Sequence, residues 1–479
     1  MSDRLAIPPD DFRALSAAAL DRVAAYYDAL PERPVVIPTT SAALRAELEE
    51  PLPQDPSPWT GILDDFDDKI VRYSRHNAHP RMFGYVASPG TPITAVGSLL
   101  QSALNVNATA WRSGPAAAEV EHLTINWLKE ILGYPKDAIG LFTSGGSMAN
   151  FAALGAARSA KAPVNVVREG VAAVGRPMCA YVSEEAHFSI TKAAGMLGLG
   201  EANVRHVKTD ANFRLDLADL DRLVAADRAA DRLPFCVVAS AGTTASGAID
   251  PIADLVDFAR RHDLWLHVDA AYGGPAALAI PGVFAGIEQA DSVALDPHKW
   301  LYLPMGCGCV LYRDPAAARA AFSHGAEYTR TIGLERDEAF AFWDYGPELS
   351  RPFRALDLWL LLKYAGARRL AEAIGQNIAC AKYFERLVQT SSDFEMLAPV
   401  ELSIFCFRHK DAEGDLNAWN ERILIALQRA GSSYLSNASL RGQFALRGCV
   451  LNYRTTEKDM DQLLKDVRSA AATSSLIGR

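Results

Sequence analysis

Several features are scarce in this sequence, and each scarcity excludes a class of protein. No apolar run in the chain of 479 residues approaches the length that crosses a bilayer. The first residues, MSDRLAIPPDDF, contain no basic stretch followed by an apolar one, so no secretory leader is expected. Lysine and arginine number 48 against 57 aspartates and glutamates, and the net charge of −9 argues against nonspecific nucleic-acid binding. We therefore expect a cytoplasmic globular protein with neither a membrane nor a nucleic acid as partner.

Cysteine is also scarce and is scattered along the chain. There are seven cysteines, and the one close pair is Cys307 and Cys309. This C-x-C has no second pair at metal-ligand spacing, and an odd number of cysteines does not suit a disulfide framework. We expect buried free thiols in a reducing compartment, and no metal.

The pattern of apolar residues divides the chain into parts. Residues 1–84 combine helical spacing with proline-rich connectors, which predicts a helical arm that packs on something else, a second subunit being one candidate. In residues 85–369, short β-rich runs alternate with helical stretches, which indicates a mainly parallel sheet covered by helices. Residues 370–479 read as a small α+β domain. The fold class is therefore α/β.

Polar residues and glycines follow the apolar runs of the predicted sheet, at the edge where such sheets bind ligands. They are Gly145, Gly146 and Ser147 in TSGGSMAN, His187 in SEEAHFS, Thr243 and Thr244 in SAGTTAS, Asp269 in HVDAAYGG, and Lys299 in DPHKW. Each has an ordinary explanation, such as a capped helix, a solvated imidazole or a surface charge. Neither a P-loop nor a dinucleotide-binding glycine motif is present.

Taken together, these residues match the needs of pyridoxal phosphate. Its phosphate needs an exposed helix N-terminus, which Gly146 and Ser147 would begin. Its pyridine nitrogen needs a carboxylate, and its aldehyde needs a lysine for a Schiff base. Asp269 and Lys299 supply these groups.

The segments DPHKW and HVDAAYGG resemble the group II pyridoxal-phosphate decarboxylases, which act on aromatic amino acids, histidine or glutamate. Further similar segments, HPRMFGYV, ELSRPFRALDLW and LRGQFALRGCVLNYRTT, occur in the family's order, so the resemblance covers nearly the whole chain. It implies a fold type I transferase architecture with a mainly parallel seven-stranded sheet. It also implies a homodimer that shares its active sites, and decarboxylation of an L-amino acid, an aromatic one by first choice, to the amine and CO2.

The resemblance also implies roles for individual residues. Lys299 carries the cofactor, Asp269 pairs with its pyridine nitrogen, and Ala271 and His187 lie against its two faces. The phosphate is held by Gly146 and Ser147, helped by Asp296 or His298, and Thr244 lies near the ring substituents. The catalytic residues are thus Lys299, His187 and Asp269. The substrate pocket is lined by Tyr85, Val86, Asn107, Trp111 and Phe342.

The product and the substrate stay open at this stage. The tyrosine that donates a proton in related decarboxylases aligns with Phe342, and aldehyde synthases carry a phenylalanine there; a gap would bring Tyr345 or Tyr328 into that role. Tyr85 and Trp111 suggest an aromatic substrate. An acidic or aliphatic substrate is the alternative.

Further residues bear on other activities. Asn107 and Thr109 replace the bulkier groups of aromatic-specific members, and Arg81 or Arg112 would suit an acidic substrate. The segments HPRMFGYV and RPFRALDLW fit a carbon–carbon lyase less well than a decarboxylase. A transaminase would use a late arginine, Arg447 or Arg454. A non-enzymatic binding protein would not need Lys299, Asp269 and His187 together.

Overall fold

The computed structural model describes residues 5–324 and 340–477. The chain begins with an arm of helices, which are α1 (Pro9–Ala29), α2 (Ser41–Leu48) and α3 (Trp59–Asp65), the last continuing into a π-helical turn over Phe66–Val71. Proline at the first position and two aspartates in the first turn favour the start of α1. None of the residues of α1 or α3 is buried. The apolar side chains of these two helices are therefore not enclosed by the described residues, whereas Leu30 and Val35 between the helices are fully buried.

The middle of the chain forms one large sheet. Its strands are β1 (Ile139–Thr143), β2 (Met178–Ser183), β3 (Val204–Val207), β4 (Leu233–Ser240), β5 (Trp265–Asp269), β6 (Ser292–Leu295) and β7 (Gly308–Tyr312). The order across the sheet is β1-β7-β6-β5-β4-β2-β3. Strand β7 runs antiparallel to its neighbours β1 and β6, and the other neighbouring strands pair in parallel. The predicted mainly parallel seven-stranded sheet is therefore confirmed.

Helices cover both faces of this sheet. They are α4 (Pro92–Leu104), α5 (Pro115–Leu132), α6 (Gly146–Lys161), α7 (Val166–Glu169), α8 (Ser189–Met196), α9 (Leu217–Ala229), α10 (Ile252–His262), α11 (Pro297–Trp300) and α12 (Pro315–Phe322). Strands β2 and β6 are buried at every position, because helices lie on both sides of them. Their apolar runs therefore carry no alternation of polar and apolar residues.

The C-terminal part begins with the long helix α13 (Ala355–Gln389). It continues through β8 (Phe394–Met396), β9 (Ile404–His409), α14 (Leu416–Ala430), β10 (Ser436–Leu440), β11 (Gln443–Cys449) and α15 (Glu457–Ile477). These strands form an antiparallel sheet in the order β10-β11-β9-β8, as expected for a small α+β domain. The predicted boundary after residue 369 falls inside α13, close to Gly366, whose φ of 73° interrupts the helix.

The topology fixes where a site can form. Strands β1, β2, β4, β5 and β6 run in one direction, so their carboxyl ends meet at one edge of the sheet. The loops after these strands carry the residues that the sequence analysis singled out. Within the described residues, no helix is long and apolar enough to cross a membrane.

Candidate active site

A cavity of about 320 Å³ lies at the carboxyl edge of the large sheet. The residues predicted to bind the cofactor all line it: Gly146, Ser147, His187, Thr244, Asp269, Ala271, Asp296, His298 and Lys299. They come from the loops after β1, β2, β4, β5 and β6, which are far apart in sequence. The sheet thus brings together the whole predicted set, while the role of each residue stays a prediction.

The start of α6 forms one wall of the cavity. Gly145 precedes the helix with a φ of 154°, and no side chain among the described residues caps its first turn. A Cβ atom on Gly146 would lie 2.6 Å from Oδ2 of Asp296 and 3.1 Å from the Cβ of Ala271. Only glycine permits this approach, and the helix start keeps free amide groups that can receive an anion.

Lys299 lies opposite, on the short helix α11. Its Nζ is 2.9 Å from Oδ2 of Asp296, whose side chain is almost fully buried. Burial lowers the pKa of the Lys299 amine, but the carboxylates of Asp296 and Asp269 outweigh this effect, so the pKa is raised overall. The lysine is therefore held as an ammonium ion by a nearby proton acceptor.

Asp269 ends β5 with both carboxylate oxygens already engaged. The backbone N–H of Ala271 donates to Oδ1 at 3.1 Å, and Nδ2 of Asn150 donates to Oδ2 at 2.8 Å. Each oxygen keeps a further lone pair, so Asp269 can still pair with a cationic ring nitrogen.

His187 follows β2 and lies beside the same cavity. Its Nδ1 is 2.8 Å from Oγ of Ser189, and burial lowers its pKa despite the opposing charge of Asp269. Its ring is therefore neutral near pH 7. A neutral imidazole can lie flat against an aromatic ring without forming an ion pair with the cofactor's phosphate.

The sequence analysis missed Asn150 and Ser189, which also line the cavity. Asn150 is one helical turn beyond Gly146, so the two residues share a face of α6. That spacing was the available signal, but it does not distinguish a polar residue that faces the cavity from one that is buried elsewhere. His267, two residues before Asp269 on β5, was likewise not recognised as a contact of Asn150, to which it lies 2.9 Å away.

The residues predicted to bind substrate lie outside the cavity lining of this single chain. Tyr85 is half exposed with a φ of 62°, and its carbonyl accepts from Arg447 at 3.1 Å. Val86 packs against the main core, and Trp111 against the core on the other face of the sheet. Oδ1 of Asn107 accepts from the backbone N–H of Arg351 at 3.0 Å. Within the single chain, these four residues therefore make contacts away from the cavity lining.

The aromatic residues near the predicted proton donor occupy different environments. Phe342 is fully buried, with the guanidinium of Arg351 4.5 Å from its ring centre. Tyr345 is partly buried and stacks on Phe340 at 5.5 Å. Tyr328 lies outside the described residues.

The arginines considered for other activities have contacts of their own. Arg81 donates to the carbonyl of Ser432 at 2.9 Å and lies 3.8 Å from Asp459, while Arg112 is exposed. Arg454 lies over the rings of Tyr27 and Tyr453. These contacts lie in the N-terminal arm and the small domain, not in the cavity lining.

The polar groups of the cavity fit pyridoxal phosphate. The uncapped start of α6 suits the phosphate, Asp269 suits the ring nitrogen, and Lys299 suits the aldehyde. Oδ1 of Asp296 is buried without a hydrogen-bond partner among the described residues, so this oxygen can still accept a hydrogen bond from a ligand. Across the parts of the chain that the structure describes, no cluster of three or more His, Cys, Asp or Glu side chains could hold a metal ion.

Comparisons with known proteins agree with this fit. Residues 42–410 match the model of the pyridoxal-dependent decarboxylase conserved domain. The chain is 34% identical to the aromatic-L-amino-acid decarboxylase of Bacillus atrophaeus, over 99% of this chain and 98% of the relative.

Solved structures show the same likeness and confirm the predicted fold. The structure of Oryza sativa TDC with PLP and tryptamine has a TM-score of 0.91 and 28% identity, covering 99% of both chains. That of Rhodiola rosea 4-hydroxyphenylacetaldehyde synthase has a TM-score of 0.88 and 28% identity, covering 98% of this chain and 99% of the other. The match over most of the chain, together with the cavity built around Lys299, shows that this chain belongs to the pyridoxal-dependent decarboxylases and is a pyridoxal-phosphate-dependent carboxy-lyase.

Proposed function

We propose that this enzyme decarboxylates an aromatic L-amino acid to the corresponding amine, with Lys299 as the residue that holds the cofactor covalently. The observation that carries the proposal is the placement of Lys299, Asp296, Asp269 and the start of α6 around one cavity. The similarity to aromatic-L-amino-acid decarboxylase over nearly the full chain supports the substrate class.

We infer the remaining cofactor contacts from the lining of the same cavity. The start of α6, with Ser147 and His298, would hold the phosphate, and Thr244 would lie beside the ring substituents. Asp269 would pair with the ring nitrogen, between Ala271 and His187 on the two faces. When bound, pyridoxal phosphate supplies an electron-accepting ring that stabilises the negative charge left at Cα when CO2 departs.

The chain's own part in the reaction begins at Lys299. An ammonium ion is not nucleophilic, so Nζ must lose a proton before it can bond to an aldehyde carbon. Oδ2 of Asp296, 2.9 Å away, stabilises the ammonium form and so opposes that loss. Asp269, which accepts hydrogen bonds from Ala271 and Asn150, would hold the ring nitrogen of the cofactor.

A homodimer with shared active sites is part of the proposal. Helix α4 exposes Val96, Leu99, Leu100 and Leu104, each at least 42% accessible, and the arm exposes Phe12, Leu20 and Val23. Contiguous exposed apolar residues of this kind mark protein interfaces. The arm, residues 1–84, would pack on the partner, and Tyr85, Val86, Asn107 and Trp111 would reach the partner's cavity.

A cytoplasmic location is also proposed. All seven cysteines are buried and free, which suits a reducing compartment. The remaining chain would divide into a cofactor-binding domain, residues 85–369, and a small domain, residues 370–479. Most hydrogen bonds around the cavity lie within the first of these.

A second candidate is an aromatic aldehyde synthase, in which decarboxylation is coupled to oxidative deamination. The Rhodiola rosea structure and the relative named phenylacetaldehyde synthase from a Rosa hybrid cultivar, 30% identical over 95% of this chain and 92% of the relative, support it. The family resemblance, aligned without gaps, matches Phe342 to the phenylalanine of aldehyde synthases. An acidic or aliphatic substrate has less support, since the relatives named as aromatic-L-amino-acid, tyrosine and tryptophan decarboxylases match more than nine-tenths of this chain.

One experiment separates these candidates. The purified enzyme with pyridoxal phosphate is incubated with each of the twenty amino acids, and CO2, amine, aldehyde, ammonia and peroxide are measured. We expect CO2 and amine in equal amounts from an aromatic amino acid. Aldehyde, ammonia and peroxide would instead identify the synthase, and CO2 from an acidic or aliphatic amino acid alone would contradict the aromatic assignment.

A further inference from the structure

A chain of buried hydrogen bonds runs beneath the cavity from β5 and β6 to α6. Nε1 of Trp265 donates to Oγ of Ser292 at 2.8 Å, and this oxygen lies 2.9 Å from Nδ1 of His267. Nε2 of His267 lies 2.9 Å from Oδ1 of Asn150. Nδ2 of Asn150 donates to Oδ2 of Asp269 at 2.8 Å. His267 and Ser292 are fully buried, and Asn150 is 1% exposed, so water cannot replace these bonds.

The chemistry of each group fixes where the hydrogens lie. Both N–H bonds of the Asn150 amide are used, toward Asp269 and toward Oγ of Ser189, so Oδ1 faces His267. An amide oxygen only accepts, and Nε2 of His267 must therefore carry the hydrogen. Ser292 accepts from the indole and gives its own hydrogen to Nδ1. Burial lowers the pKa of His267 to about 4, against the opposing charge of Asp269, so the ring stays neutral.

The same amide reaches His187 by a second branch. Nδ2 of Asn150 donates to Oγ of Ser189 at 3.0 Å, and this hydroxyl lies 2.8 Å from Nδ1 of His187. The backbone N–H of Ser189 also donates to that Nδ1, at 3.3 Å. Nδ1 therefore accepts, and the hydrogen of the neutral His187 ring is on Nε2.

We propose that Asn150, His267 and Ser292 are positioning residues that orient Asp269 toward the cofactor nitrogen and, through Ser189, hold His187 with its hydrogen on Nε2. The inference rests on the proposed function, in which Asp269 and His187 contact the cofactor. Because His267 fixes the orientation of the Asn150 amide, one hydrogen bond controls both branches. If His267 could not donate, the amide could rotate and turn its oxygen toward the Asp269 carboxylate, which would repel it.

Substitutions of His267 provide a matched test. In His267→Gln, the side-chain amide places an N–H donor near the position of Nε2. In His267→Asn, the shorter side chain places its amide near the position of Nδ1, so no donor reaches Asn150. Asn150→Ala removes both branches. Asn420→Ala serves as the control, because Asn420 is a fully buried amide in the small domain that bonds to the backbone of His409 instead.

The full-length enzyme, labelled with 15N-histidine, is examined by solid-state NMR, which distinguishes the two neutral forms of imidazole. The His187 and His267 signals are assigned by their loss in single substitutions. The dissociation constant of pyridoxal phosphate is measured on the same proteins by absorbance.

We expect both rings to carry hydrogen on Nε2 in the unsubstituted enzyme. His267→Asn and Asn150→Ala should mix the two forms of His187 and weaken cofactor binding about tenfold or more, since a hydrogen bond to a charged group is lost. His267→Gln and Asn420→Ala should leave both the hydrogen position on His187 and the dissociation constant of pyridoxal phosphate unchanged. If Asn150→Ala does not fold, the pair at His267 decides the question.

Hydrogen on Nδ1 of His187 in the unsubstituted enzyme would overturn the proposal. So would a His187 signal and a cofactor affinity that His267→Asn leaves unchanged. Failure of the proposed function has a different signature, namely no decarboxylation of any amino acid while the histidine signals behave as expected.

Discussion

Nζ of Lys299 lies 2.9 Å from Oδ2 of Asp296, three residues earlier in the DPHKW segment. Burial alone would favour the neutral amine, and Asp296 with Asp269 reverses that preference. The reactivity of the lysine is therefore set by a carboxylate that the short helix α11 places beside it.

Replacing Asp296 by asparagine should lower the pKa of the Lys299 amine, because the nearest of the two opposing carboxylates is removed. The neutral amine would then be available at lower pH. The measurement is the rate at which the cofactor-free enzyme captures pyridoxal phosphate, followed by absorbance across a pH series. We expect the midpoint of this profile to move to lower pH, with Asp254→Asn, at an exposed position, as the control. An unmoved midpoint would contradict the prediction.

Lys299→Ala should abolish sustained turnover, with kcat reduced about a thousandfold or more, because the covalent attachment of the cofactor is lost. The check is CO2 release over many turnovers, together with mass spectrometry after borohydride reduction. Reduction should fix the cofactor to the unsubstituted chain and not to the variant. Lys161→Ala, which removes a surface ion pair with Asp263, should keep both properties. Repeated turnover by Lys299→Ala would refute the role of Lys299.

Arg351 and Glu121 form an ion pair with both side chains fully buried. Burial raises the pKa of Glu121, and the charge of Arg351 opposes this. Arg351→Met leaves the carboxylate without its partner and should reduce the free energy of unfolding by about 3–5 kcal/mol. The double variant Glu121→Leu/Arg351→Met should recover part of that loss. Urea unfolding measures both.

The control for this pair is Arg222→Met. Arg222 pairs with Asp219 on the surface of α9, with its side chain 61% exposed, so its loss should change stability by less than about 1 kcal/mol. A double variant that is less stable than Arg351→Met would contradict the expected relief.

His79 is fully buried, and its Nδ1 accepts from the backbone N–H of Arg81 at 3.0 Å. Burial lowers its pKa to about 4, so the folded chain resists a proton that the unfolded chain binds below pH 6.5. This difference removes stability as pH falls from about 6.5 to 4, by about 2 kcal/mol between pH 7 and pH 5. His79→Asn keeps an acceptor for Arg81 and cannot take the proton.

The variant should therefore lose less stability than the unsubstituted enzyme between pH 7 and pH 5, as measured by urea unfolding at both values. His206→Asn, at an exposed position of β3, should keep the full dependence. Equal losses in all three proteins would rule out His79 as the cause.

Phe342→Tyr should not by itself change the product. The Phe342 ring is fully buried beside Phe340 and Arg351, so a new hydroxyl would be buried away from the cavity. We expect a loss of about 1–3 kcal/mol in the free energy of unfolding and an unchanged ratio of amine to aldehyde. Product analysis on an aromatic amino acid checks this, with Phe340→Tyr as the partly buried comparison. A changed ratio would place residue 342 at the reacting atoms.

The shared location of the residues predicted to bind the cofactor could be foreseen because each lies at or shortly after the end of an apolar strand. Asp269 and Lys299 occur in short, specific segments, and a parallel sheet brings such strand ends to one edge. The fold was predictable for the same reason, since the alternation of strands and helices is visible in the chain.

The supporting contacts could not be predicted. Asn150 and His267 are separated by 117 residues, and no local pattern shows that their side chains meet. Glu121 and Arg351 are separated by 230 residues, and no local pattern predicts their ion pair either. The predicted substrate residues are a further case, because none of them lines the cavity of the single chain.

Arg447, on the last strand of the small domain, has a consequence for how the enzyme is made. It donates to the carbonyl of Thr244 at the cavity rim at 2.8 Å, and to the carbonyl of Tyr85 at 3.1 Å. These partners are 203 and 362 residues earlier in the chain. These two hydrogen bonds at the cavity rim therefore cannot form until β11 has been translated. Truncation before β11 would leave the carbonyls of Thr244 and Tyr85 without this donor.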